Sequence, residues 1–209
     1  MNAFVNPNVT KIVCLFLLAV IMNVGFMKIK WRGRLLRTNA YGSQIPYCFG
    51  VVPAILLALD LFLFNQKLQN AHLVVTGFSL VGLLDDLLGT AEYRGLRGHL
   101  QALGTGKLTT GLVKLVTSPV LAAVCAASTF GFASWMTYLG IVIVAASSNL
   151  FNLLDLRPGR SQGVGIIVLF VLLLFYPSPI VIGGLVILSV TTIPDSKANV
   201  MMGDSGAIA

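Results

Sequence analysis

The sequence predicts an all-α, polytopic transmembrane helical bundle, and three observations carry that prediction. Hydrophobic residues fill 56% of the 209 positions and charged residues only 10%, and the mean hydropathy is +0.90, far from the balance of a water-soluble domain. Apolar runs long enough to cross a ~30 Å hydrocarbon core at ~1.5 Å per helical residue recur along the chain. Basic residues gather in alternate loops, as membrane topology requires. Topology accounts for the net charge of +7, whereas the aromatic and polar interleaving of a nucleic-acid surface is missing, so nucleic acid is excluded as a partner. Cys14, Cys48 and Cys125 all lie in apolar runs without metal-ligand spacing and read as packing residues.

The first span is expected over 9–27, interrupted by Lys11 and Asn23. The loop after it carries Lys28, Lys30, Arg32, Arg34 and Arg37, which fits a retained helix rather than a cleaved signal peptide. Further spans are expected near 45–64, 71–88, 108–130, 132–154, 164–176 and 178–194, about seven helices in one membrane domain. Tyr176-Pro177-Ser178-Pro179 joins the last two as a hairpin. With the N-terminus outside, alternation sets Lys28, Arg37, Arg94, Arg97, Lys107, Arg157, Arg160 and Lys197 on the cytoplasmic side, leaving chiefly Lys11 and Lys67 opposite.

The same alternation brings distant polar groups to one face. Asp85 and Asp86 end the third span as adjacent carboxylates in an apolar setting, where a divalent cation is the simplest partner. Asn149, Asn152 and Asp155 recur at steps of three and share one helical face, an oxygen-rich array whose plainer reading is a polar seam between helices. Arg157 and Arg160 follow, with guanidiniums suited to phosphate, while Pro158 and Gly159 stop the helix. Asp204 lies in Met202-Gly203-Asp204-Ser205-Gly206. Glu92 and Asp195, in polar loops, read as interfacial carboxylates, and Asp60 as structural.

Between the third and fourth spans a basic, Gly-rich loop containing Arg94, Arg97, His99 and Lys107 feeds a helix start and could cradle an anion. It is not a phosphate-binding loop of the Walker type: Gln101 stands where the first glycine belongs and Leu108 follows the lysine. Lys107 and Lys114 lie two turns apart on one helix face; either suits a phosphate, and Lys114 equally suits snorkelling to the interface.

Three ordered motifs, Gly82-Leu83-Leu84-Asp85-Asp86, Asn149-Leu150-Phe151-Asn152-Leu153-Leu154-Asp155 and Met202-Gly203-Asp204-Ser205-Gly206, resemble those of the polyprenyl-phosphate N-acetylhexosamine-1-phosphate transferases. These include phospho-N-acetylmuramoyl-pentapeptide-transferase and undecaprenyl-phosphate GlcNAc-1-phosphate transferases of glycosyltransferase family 4. The resemblance implies a multi-pass protein of the bacterial plasma membrane with its active site on the cytoplasmic face. The implied reaction moves a sugar-1-phosphate from a UDP-N-acetylhexosamine to a polyprenyl phosphate such as undecaprenyl phosphate, releasing UMP and initiating a cell-wall or surface glycan. It implies Mg²⁺, with Mn²⁺ as substitute, and is compatible with a homodimer. By the same resemblance Asp85, Asp86 and Asp204 are catalytic; Asp86, Asp204, Asn149 and Asp155 approach the metal; and Asn149, Asn152 and Asp155 meet the nucleotide-sugar, with Lys107, Arg157 and Arg160 read from their own chemistry as the cations that meet its phosphates.

The sequence also departs from that family. Its members often carry a second aspartate shortly after the one matching Asp155, where this chain reads Leu156-Arg157-Pro158-Gly159, and they continue into further helices and a His-containing loop, so a C-terminally truncated chain is expected. The alternative reading is a non-catalytic membrane fragment or degenerate homologue that binds lipid phosphate or a partner. A secondary transporter would place acids at the midplane between inverted repeats, and no repeat is visible.

Overall fold

The computed structural model describes residues 7–39, 41–64, 69–89 and 95–207. Lys67, Glu92 and Arg94 lie outside them, and the side chains of Arg97 and His99 are likewise undescribed. The chain is mostly helical. Its long helices are α1 (Pro7–Lys28), α2 (Val51–Phe64), α3 (Gln69–Leu88), α5 (Thr110–Phe130), α6 (Trp135–Leu154), α7 (Arg160–Phe175) and α8 (Pro179–Ser196), with a shorter α4 (Gly95–Gly104) and the four-residue α9 (Asp204–Ala207). Four of them, α1, α5, α6 and α8, are long and apolar enough to cross a membrane, which marks a membrane protein.

Two departures from the expected elements have local causes. The expected second span loses its first turn and more because Gln44–Pro46 (β2) pairs antiparallel with Leu36–Thr38 (β1). Asn39 Oδ1 accepts the N–H groups of Tyr41 and Ser43, both at 2.9 Å, and closes that hairpin. The expected Gly-rich loop is largely helix α4, which ends at Gly104 and Gly106. Gly106, at φ 76°, sits in a Schellman motif: its N–H meets the Leu103 carbonyl at 2.9 Å and the Lys107 N–H meets that of Ala102 at 2.9 Å. Thr109 then caps α5, accepting from the Leu112 N–H at 3.3 Å.

The helices pack as two groups. Leu15, Ala19, Val52, Leu56, Ile187 and Val190 knit α1, α2 and α8 together, with Phe49, Val200 and Met202 at one end. Val74 and Phe78 of α3 meet Leu121 and Cys125 of α5 and Val144 of α6. An apolar cavity of about 460 Å³ lies between the groups, bordered by Leu57, Phe78, Phe151, Leu169, Leu188 and Ala207. The three cysteines are free, Cys14 exposed and Cys48 buried.

Two acids expected to be unremarkable are buried. Asp60 is 1% exposed and pairs with Lys11 at 2.7 Å, joining α1 to α2, and Gly183 of α8 makes room, since a Cβ there would stand 2.6 Å from Asp60 Oδ2. Asp195 is 1% exposed, not a solvated loop acid. It accepts the Gly159 N–H at 2.9 Å and ties the α6–α7 turn to the last turn of α8. Gly159 takes φ 73°, so Pro158-Gly159 both stops α6 and opens α7.

Candidate active site

The site is built where α9 enters the bundle. The segment before α9 is held by main-chain bonds: Met201 N–H to Pro46 O at 2.8 Å, Phe49 N–H to Met201 O at 3.0 Å and Gly50 N–H to Met202 O at 2.8 Å. Glycines permit the approach. A Cβ on Gly50 would lie 2.1 Å from Gly206 N, and one on Gly82 would lie 2.2 Å from Asp204 O. Gly203, at φ 68°, turns the chain directly over Asp86.

Asp86, 3% exposed, faces the first N–H groups of α9. Its Oδ1 accepts from Asp204 N–H at 2.8 Å and its Oδ2 from Ser205 N–H at 3.0 Å, so a carboxylate of α3 caps a helix far away in sequence. The Tyr47 hydroxyl also bonds to Asp86, and the Arg37 guanidinium lies 5.2 Å from the Tyr47 ring centre. Burial, and then the negative charge of Asp86, Asp204 and Asp155, pushes the Tyr47 hydroxyl far above its ordinary range, keeping it protonated to donate.

Asp204 turns its side chain the other way. Lys114 Nζ meets its Oδ2 at 2.5 Å. The Asn152 amide, turned to satisfy both neighbours, donates to Asp204 Oδ1 at 2.7 Å and accepts from Lys114 Nζ at 3.2 Å. Asp85 hydrogen-bonds to Asp204 as well; burial, and then this contact, raises the Asp204 carboxyl to about 7 against the pull of Lys114. Two carboxyls this close oppose each other's ionisation. Asp85, Lys114, Asn149, Asn152, Ser148 and Asp204 line a cavity of about 580 Å³ between α5 and α6.

The remaining expected residues stand around this centre. Asp155, the C-cap of α6, accepts the Gly203 N–H, and burial followed by the charges of Asp195 and Asp204 raises its carboxyl to about 8. Asp86 and Asp155 support the Gly203–Ser205 backbone rather than line the cavity. Lys107, Arg157 and Arg160 are exposed and do not line it either. Tyr47 is the residue that the sequence left without a site role, and Lys114, open there between phosphate and the interface, is committed here to Asp204. Lys114 carried a signal, its two-turn spacing from Lys107; Tyr47 carried none.

Among the described residues, no group of three or more His, Cys, Asp or Glu side chains is disposed to hold a metal. The donor chemistry nevertheless fits a hard cation of the Mg²⁺ kind, which commonly takes one or two carboxylates and completes its shell with water and substrate phosphate. Asp85 and Asp204 are such a pair, with the Asn152 amide beside them. No protein-family model matches the chain, and no curated protein matches it.

Proposed function

We propose that this protein is a metal-dependent phospho-sugar transferase, moving an N-acetylhexosamine-1-phosphate from a UDP-sugar to a polyprenyl phosphate and releasing UMP. The observation that carries the reading is the meeting of three distant motifs around one cavity, where Asp85, Asp204, Asn149, Asn152 and Lys114 face a common space. In this reading α1, α2, α3, α5, α6, α7 and α8 are seven spans of a bacterial plasma-membrane protein, with the N-terminus outside and the cavity opening to the cytoplasm.

The reaction sets one anion against another, so the protein's task is positioning and charge neutralisation. Lys114, held by Asp204 and Asn152, swings its ammonium toward an incoming phosphate while Asn152 keeps the carboxylate in place. Asp85 and Asp204 would hold Mg²⁺ or Mn²⁺, which when bound neutralises diphosphate oxygens as a Lewis acid. Asn149, at the cavity rim, suits the sugar or nucleotide, and Lys107, Arg157 and Arg160 attract the doubly charged donor from outside. Asp85 is placed to take the last proton of the lipid phosphate, although a phosphate with a second pKa near ~6 is already mostly ionised at neutral pH.

The test is UMP release from a panel of UDP-N-acetylhexosamines by protein in polyprenyl-phosphate vesicles with Mg²⁺. Turnover should need all three components, vanish with chelator and fall at least ~100-fold in Asp204→Asn or Lys114→Met, as for loss of a principal electrostatic group. Wild-type turnover in both variants would falsify the assignment.

A further inference from the structure

A second site, separate from the catalytic cavity, lies where the C-terminal ends of α1 and α3 meet the N-terminal end of α2. An apolar groove of about 400 Å³ is bordered by Phe26, Ile29, Trp31 and Leu35 on one side and by Leu83 and Leu87 on the other. Its helical walls are residues one turn apart, Met22 and Phe26, Val51 and Ile55, Leu83 and Leu87. It is therefore about 5.4 Å deep along the helices, room for the first several methylenes of an acyl chain. Trp31 is fixed at the rim, its ring centre 4.4 Å from that of Phe26 and its Nε1 donating to the Phe26 carbonyl at 3.0 Å.

The segment forming the rim is two-faced. Trp31 lines the groove with Ile29, which is half exposed at its mouth, and Lys28, Lys30 and Arg32 beside them are exposed. The Trp31 backbone N–H meets the Ile29 carbonyl at 3.0 Å, a tight turn at Lys30 that holds the indole at the groove with the cations beside it. An indole at the interface beside exposed cations is the arrangement that meets glycerol, phosphate and chain at the same level of a bilayer. A neutral lipid would use the groove and leave the cations unmatched. We infer that this groove binds one anionic phospholipid, its chain between α1, α2 and α3 and its phosphate against Lys28, Lys30 and Arg32.

Trp31 is itself the probe. The chain has two tryptophans, and Trp135 is 66% exposed at the start of α6, so Trp135→Phe leaves Trp31 as the single tryptophan, excited selectively at its red edge. This protein would be reconstituted in phosphatidylcholine vesicles containing chain-brominated phosphatidylglycerol, or chain-brominated phosphatidylcholine as the neutral comparison. Half-maximal quenching is expected at about a tenfold lower mole fraction of the anionic lipid, the order given by clustered Lys and Arg at a membrane surface. That preference should disappear in Lys28→Gln/Lys30→Gln/Arg32→Gln, and in the unmutated rim at about 1 M salt, where the Debye length is about 3 Å. Unchanged quenching by the neutral lipid shows that the triple variant keeps Trp31 in its groove. Equal quenching by both lipids in the unmutated rim, or a preference that survives both the triple substitution and salt, overturns the inference. So does tighter competition by polyprenyl phosphate than by phosphatidylglycerol, which would assign the groove to that lipid.

Discussion

At the scale of single residues, burial raises the carboxyls of two acids at the centre of the molecule. Asp155 is raised from 3.8 to about 8 and Asp204 from 3.8 to about 7. An acid whose folded pKa is raised contributes stability that is complete below its unfolded pKa and is lost as pH rises through the folded value. Metal-free protein in detergent should therefore melt progressively lower between about pH 4 and about pH 8, and Asp155→Asn should flatten the slope in a thermal-shift series; a slope unchanged by that substitution would remove Asp155 as its source. Tyr47 offers a second check. Tyr47→Phe removes a bond to a buried carboxylate, a loss of about 1–3 kcal/mol. Each kcal/mol corresponds to about 2–4 °C of melting temperature in a chain of this size. An unshifted melting temperature would mean that the hydroxyl contributes nothing to the Asp86 cap.

At the scale of elements, the Lys11–Asp60 pair sets a clear expectation for α1 against α2. Removing one partner of a buried pair leaves an uncompensated charge and costs about 3–5 kcal/mol, whereas replacing both by apolar residues is often neutral. Lys11→Met should accordingly destabilise strongly and Lys11→Met/Asp60→Leu should restore most of the loss; a double variant as unstable as the single one would deny the pair its coupling. The contrast also shows what sequence can disclose. The long helices were legible because continuous apolar runs announce themselves without reference to neighbours, and Asp85, Asp86, Asn149, Asn152 and Asp204 stood out as polar groups at the ends of such runs. Pairing was not legible: nothing local to Lys11 names Asp60, and nothing local to Asp195 names Gly159. The hairpin was hidden because Gln44–Pro46 is as apolar as a helix start, and α4 because its terminal glycines read as loop while its body is short. Lys114 was visible as a lysine on a helix face, but its commitment to Asp204 depends on the fold bringing α5 to α9.

At the scale of the whole molecule, orientation is the property that the proposed function most needs. Cysteine labelling of sealed cells, with the native cysteines replaced, should modify Leu108→Cys only after permeabilisation and Phe132→Cys and Tyr176→Cys from outside; all three native residues are exposed. Leu108→Cys reacting from outside would invert the topology and place the cavity on the wrong side for a cytoplasmic nucleotide. The cap that Asp86 provides to Asp204 spans 118 positions of sequence, and this gives the site a place in time. At a synthesis rate of about 5–20 residues per second, Asp86 is made on the order of ten seconds before its two N–H partners exist. A carboxylate without those partners is costly to bury, so during the interval Asp86 keeps a proton or water beside it. The arrival of Gly203-Asp204-Ser205 is then what lets the carboxylate be buried, so this turn orders the assembly of the fold as well as walling the cavity.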